Sequence, residues 1–444
     1  MRRVWLAGLC HGLLGLLLQC VSVPVAAAQS NVEVNAGVEL DFQSPGARSL
    51  AMGSAFIGVA DDATAAFVNP AGLRAISRRE ISFEGRVRDF VIPTITRGRL
   101  GGVRSNLGID TIDGLVETEQ DQDAGGLSFL SFVYPRSRWA IAGYRHELAN
   151  WDTSVQTDGA FFENATDEAR RLPIRGTMDL QIITYGVSGS FNVTPQFSVG
   201  GGLAIYDFDM DSITDRFNID APLTNPDFYG APNFSDANLQ NYQVQEGEGT
   251  SVGVNVGALW APSRKFQLGA VFRQGPDFDL RVANIDPETN EPFAGLDRDG
   301  RFHVPHVFGV GGLYRPIDNG TLSVDITHVN YARLTEDFVD IFNNPPQGNY
   351  SIDNATEIHA GFEYVITTRV PIALRGGYWF DPEHTLVFSG ETTSLSEASI
   401  YREGEDQHHV TFGGGVVFGR FEINGAADVA SRATRASFSA VVRF

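Results

Sequence analysis

From residue 79 onward the chain alternates apolar and polar positions with a period of two, in segments separated by turn-forming residues. In 321–327, Leu322, Val324 and Ile326 alternate with Ser323, Asp325 and Thr327. In 356–364, Ile358, Phe362 and Tyr364 oppose Glu357, His359 and Glu363; in 421–429, Phe421, Ile423 and Val429 oppose Glu422, Asn424 and Asp428. Successive side chains of a strand point to opposite faces, so each segment has one apolar and one polar face. The pattern predicts fourteen strands, near 79–88, 126–135, 137–147, 178–192, 196–210, 250–260, 265–275, 303–315, 320–332, 355–365, 369–380, 408–418, 420–430 and 435–444. Most reach the roughly 9–11 residues with which a tilted strand crosses a bilayer.

A soluble sandwich alternates in the same way, so the connections carry the decision. Long ones (89–125, 148–177, 211–249, 276–302, 333–354, 381–407) alternate with short ones centred on Pro135-Arg136, Val193–Pro195, Pro262–Arg264, Pro316–Asn319, Thr367-Thr368 and Gly419. The last outer connection, Ser431 to Thr434, is the one brief exception. Short turns at one end and long loops at the other are the asymmetry of an outer-membrane barrel. The expected fold class is therefore all-β: a transmembrane antiparallel β-barrel of about 14 strands over 79–444, with the chain terminus on the periplasmic side. Aromatic residues at strand ends (Tyr134, Trp139, Trp151, Tyr206, Trp260, Tyr314, Tyr331, Trp379) are expected to form interfacial girdles. Residues 1–28 read as a secretory signal, with Arg2 and Arg3, an apolar run from Leu6 to Leu18 and Ala26-Ala27-Ala28 at the cleavage site. Beyond it no stretch offers 18 consecutive apolar residues, so membrane residence requires a closed barrel.

Composition removes several function classes. The formal charge of −21 deepens by two once Arg2 and Arg3 leave with the signal, which argues against a nucleic-acid partner. Both cysteines, Cys10 and Cys20, lie inside the signal, so thiol chemistry and disulfides are not expected of the mature chain. Asp207, Asp209 and Asp211 share a strand face but lack the glycine and terminal Glu of a Ca²⁺ loop, and read as a solvated rim. His408 and His409 point to opposite faces of a strand, as do His303 and His306, so neither pair is expected to chelate a metal. No G-x-S-x-G elbow occurs, and His146, Asp152 and His328 form no local catalytic pattern. No enzyme, metal or cofactor is expected.

Residues 29–78 precede the strands. Their Ala- and Gly-rich core, Gly46 to Leu73, carries no charge between Arg48 and Asp61. Asp61 and Asp62 can cap a short helix over 63–67, and Asn69, forced out of the helical region by Pro70, ends it. Leu50, Phe56, Ile57 and Phe67 need burial that so short a segment cannot give alone. The stretch Gly46-Ala-Arg48-Ser49, Met52-Gly53, Ala-Asp61-Asp62-Ala-Thr-Ala and Asn69-Pro70-Ala71-Gly-Leu resembles the N-terminal hatch of the FadL-type outer-membrane transporters, with Asn69, Pro70 and Ala71 as the family's turn. The terminal segment with Phe438, Val442 and Phe444 resembles the signal read by the barrel-assembly machinery.

The resemblance implies a lumen closed by the hatch and uptake of hydrophobic molecules (long-chain fatty acids or aromatic and aliphatic hydrocarbons) by a monomeric chain that sits among outer-membrane lipid and lipopolysaccharide. Phe56 and Phe67 are the residues of the hatch that could face such a ligand. Other readings stay open at this point: a FadL-like barrel handling protein cargo, as in type IX secretion, or a purely structural plugged barrel. Apolar side chains around one tunnel would favour small hydrophobic ligands; a sealed polar lumen with bulky outer loops would favour a protein partner.

Overall fold

The computed structural model describes residues 42, 44–101, 112–163, 168–171, 173–220, 231–337, 350–389, 398–399 and 401–444. The signal segment and the first part of the expected hatch lie outside them. Among the described residues, fourteen wall strands run antiparallel in chain order: β1 (Glu80–Leu100), β2 (Gly114–Pro135), β3 (Trp139–Thr157), β4 (Ile174–Asn192), β5 (Phe197–Phe217), β6 (Leu239–Trp260), β7 (Phe266–Arg273 and Asp277–Asp286), β8 (Glu291–His303 and Val307–Ile317), β9 (Gly320–Val329), β10 (Ala355–Ile366), β11 (Ile372–Asp381), β12 (Gln407–Phe418), β13 (Phe421–Val429) and β14 (Ala433–Arg443). β14 pairs with β1 from Glu80↔Arg443 to Phe90↔Ala433 and closes the cylinder. No described helix is long and apolar enough to cross a membrane, so the wall itself carries the crossing.

Period-two alternation decides which side chains meet lipid. Leu322, Val324 and Ile326 of β9 are exposed, whereas Ser323, Asp325 and Thr327 are buried toward the lumen. Ile358, Phe362 and Tyr364 of β10 face out against Glu357, His359 and Glu363. Phe438 and Phe444 also face out, and the Phe444 N–H donates to Arg79 O at 3.0 Å, tying the chain end to the start of the wall.

Three expectations change. The first six strands are longer than read, 19 to 22 residues each, against 9 to 12 in β9–β14. Much of the supposed long loops 89–125, 148–177 and 211–249, and nearly all of 276–302, is strand that continues outward, where the outer face turns more polar and the alternation fades. The cylinder is therefore tall on one side. Next, β7 and β8 are each interrupted, at 274–276 and 304–306, where Pro276 and Pro305 cannot donate to a ladder. Arg333 holds the two breaks together, donating from Nη1 to Val304 O at 2.7 Å and Gly275 O at 3.2 Å. Finally, Trp139, Trp260 and Tyr314 stand on the outer face, but Trp151, Tyr206, Tyr331 and Trp379 are buried inside. Strand parity puts Trp151, Tyr206 and Trp379 on the lumen face, and Tyr331 lies in a 3₁₀ turn (Tyr331–Thr335) after β9, so none of them belongs to a lipid girdle.

Candidate functional site

The hatch occupies the lumen near the short turns. Helix α1 spans Ala47–Ala51 and α2 spans Ala65–Val68, followed by a 3₁₀ segment, Pro70–Ala75. Sequence reasoning expects a helix capped at Asp61-Asp62. The structure starts α2 later: Asp62 Oδ1 accepts from the Thr64 N–H (2.9 Å) and hydroxyl (2.6 Å), an Asx turn that spends the carboxylate before the helix begins. Burial raises the Asp62 carboxyl above its ordinary range, while the adjacent Arg48 guanidinium pulls it down. Asn69 is extended (φ −155°) and ends α2 as read, and its Oδ1 caps the next segment by accepting from Ala71 N at 3.2 Å. Phe56 and Phe67 are buried at the contact between hatch and wall, under Arg48 and beside His146 respectively.

So short a segment cannot pair its own backbone, and water has no room to do it. Wall side chains do it instead. Glu84 accepts from Gly46 N at 2.7 Å, Asp325 from Ile57 N at 2.6 Å, and Thr411 from Gly53 N at 2.9 Å. Ser188 donates to Ala66 O at 2.7 Å, Ser198 to Ala71 O at 2.9 Å, and Asn255 to Phe67 O at 2.6 Å. His359 stands between Gly53 O (2.8 Å) and the Glu357 carboxylate (3.1 Å). Arg48 forks onto Glu363 at 2.9 and 3.0 Å and reaches Asp61 at 2.6 Å; Arg375 approaches Glu363 from the wall at 2.6 Å. Close approach of the hatch backbone requires glycine in the wall: a β-carbon at Gly200, Gly257, Gly361 or Gly377 would collide with Ala71, Asn69, Met52 or Gly53. Gly53 itself turns with φ +61°. Sequence reasoning missed this wall lining, because a buried partner and a solvated lumen residue give the same polar alternation.

Asn69 makes three bonds from one side chain, also donating to Ile57 O (3.1 Å) and Ala258 O (3.3 Å). Each unmade buried bond costs about 1–3 kcal/mol. Replacing Asn69 with Ala should therefore speed amide hydrogen exchange across 57–73 by about tenfold or more while leaving the wall ladders protected. Unchanged exchange would show that the turn does not hold the plug.

Outward of the hatch the lumen changes character. Trp151 (β3), Met178, Leu180 and Ile182 (β4), Phe208 and Met210 (β5), and Phe278, Leu280 and Val282 (β7) form one apolar cluster on the inner face. Phe208 stacks on Phe278 at 4.5 Å. At the outer mouth lies a cavity of about 640 Å³, bordered by Ile95, Val155, Ile174, Leu386, Glu117 and Arg402 among others.

The wall also has a gap. β2 pairs with β3 only over Phe129–Pro135 against Ala140–His146. Farther out β3 bulges at Leu148, between Glu147 and Ala149, and the strands part around Ala124, Gly125 and Ser128 on one side and Glu147, Leu148 and Asn150 on the other. Still farther out two side chains stand in for the ladder. Gln122 bonds Ser154 N and O at 3.0 and 2.9 Å, and Gln120 bonds Gln156 N and O at 3.0 Å each.

A family model described as "Outer membrane protein transport protein (OMPP1/FadL/TodX)" matches residues 26–387. The chain belongs to this family. It is a family of outer-membrane transport channels, not of enzymes. In structure the chain is similar to a Pseudomonas aeruginosa FadL homologue (TM-score 0.58, 15% identity, covering 91% of this chain and 99% of that one). It is also similar to the toluene transporter TbuX of Ralstonia pickettii (0.57, 16%, 91% and 99%) and the toluene transporter TodX of Pseudomonas putida (0.53, 14%, 91% and 98%). No curated protein matches it in sequence. The remaining sequence candidates have structural partners: His409 faces Asp428 at 3.0 Å, His303 faces Asp277 at 2.7 Å, and His408 faces the Tyr378 hydroxyl at 2.7 Å. No group of three or more potential metal ligands occurs among the described residues.

Proposed function

We propose that this chain takes hydrophobic small molecules inward across the outer membrane, binding them in the outer lumen and releasing them past the hatch or through the gap between β2 and β3. The apolar cluster above the buried hatch is the observation that carries this reading. A molecule moving from water onto that surface gains roughly 25 cal/mol for each Å² of apolar area it buries. The hatch blocks a straight path to the periplasm, and beyond Phe129 and His146 the β2 and β3 backbones part, with only side chains bridging them farther out. The toluene carried by two of the similar proteins is a compound of this class. A protein cargo fits less well, because the cluster is narrow and enclosed.

Outer-membrane vesicles prepared with and without the protein test the reading. Labelled decane should enter protein-bearing vesicles faster, with a rate that saturates as decane increases. Equal, non-saturating rates in both preparations would refute it.

A further inference from the structure

At the outer edge of the apolar cluster the inner face turns mostly polar, and the rows there carry no carboxylate. Cross-strand register sets out two adjacent rows. One runs Val155, Gly176, Thr214, Gln243, Asn284 across β3–β7; the next inward runs Thr153, Met178, Ser212, Gln245, Val282. Thr153, Ser212, Thr214, Gln243 and Asn284 are at most 2% exposed. The hydroxyls of Thr153, Ser212 and Thr214, both polar atoms of Gln243, and Asn284 Oδ1 have no hydrogen-bond partner among the described residues. Leaving such atoms unbonded costs about 1–3 kcal/mol each, which is why buried polar atoms of this kind mark a place where something else bonds. The mouth cavity touches Val155, at the end of the outer row, and Thr157 and Ile174 just beyond it.

The geometry points to a binding site for an uncharged hydroxylated hydrocarbon, whose chain or ring lies on Leu180, Met210 and Leu280 and whose hydroxyl meets Gln243 and Thr214. This rests on the uptake reading and narrows its ligand. The donor and acceptor inventory sets the chemistry. Gln243 offers N–H groups that want an acceptor, but its Oε1 and Asn284 Oδ1 want a donor. An alcohol or phenol supplies both. An ionised carboxylate supplies only acceptors and would face these two carbonyl oxygens. A plain hydrocarbon supplies neither. Arg216, one row farther out, has its Nη1 on Asn241 Oδ1 at 3.5 Å.

The test measures binding of labelled 1-decanol, decane and decanoate to the full mature protein in lipid nanodiscs, with empty nanodiscs subtracted. Decanol should bind about tenfold or more tightly than decane or decanoate, since a site built for a hydroxyl rejects analogues lacking it. Gln243→Leu and the near-isosteric Thr214→Val should each remove most of that preference, bringing decanol binding down toward that of decane. Thr214→Val decides the matter if Gln243→Leu fails to insert. Decane binding with no gain for decanol would overturn this assignment and leave the uptake reading standing. Decanoate binding as well as decanol, or a preference untouched by both substitutions, would also overturn it and show a belt that holds water. Failure of all three probes to bind would remove both readings together.

Discussion

A chain lacking residues 31–75 should insert as a barrel and conduct ions in steps that the intact protein does not show. Insertion survives because the strand ladders and the β1–β14 closure do not pass through the hatch. Conduction follows because the hatch fills the lumen: from Ala47 to Leu73 every residue but Arg48 and Asp61 is buried. Removing it leaves Glu84 without Gly46, Asp325 without Ile57, and Glu363 without Arg48. Water enters to solvate those carboxylates, and the open pore should pass cations in preference to anions. Small hydrophilic antibiotics excluded by the intact protein should then penetrate. Single-channel recording of both forms in planar bilayers reads the result. Equal conductance would mean that the segment is not the plug.

The second large effect concerns the wall gap. At Gly126 a β-carbon would stand 3.4 Å from the Glu147 carboxylate and 3.9 Å from Asn150, two residues that border the opening. Replacing Gly126 with Phe places a ring there without touching the hatch. Uptake of decane into outer-membrane vesicles should fall close to the protein-free rate, while the heat-modifiable mobility of a folded barrel remains. Normal uptake in the Gly126→Phe protein, with uptake still blocked by cross-linking the hatch to the wall, would place the exit at the periplasmic end.

The inner halves of the strands were legible because one face meets lipid and the other does not. Leu322, Val324 and Ile326 could be assigned outward from spacing alone. That contrast ends above the bilayer. In Gly114–Ala124 polar residues occupy both faces, so a strand there reads as a loop. The hatch was legible from Gly46 to Leu73 as a unit needing enclosure, but its partners were not. Nothing local separates Asp325, which binds Ile57, from a carboxylate in open water. Trp151 and Trp379 were misplaced for a simpler reason: aromatic type was weighed above strand parity. The apolar cluster was out of reach of local reading, since Leu180, Met210 and Leu280 meet only through the register of strands far apart in sequence.

The difference in strand length gives the molecule a sheltered side and an open one. About ten residues beyond what a bilayer needs, at roughly 3.3 Å each and tilted, raise β1–β6 some 25 Å above the lipid surface. Around β9–β14 the wall stops near that surface. The high side walls the mouth along that part of its circumference. The low side leaves the mouth open to its surroundings. A large particle approaching from outside meets strand surface on the high side first, where changes to the outward side chains leave the lumen-facing residues in place.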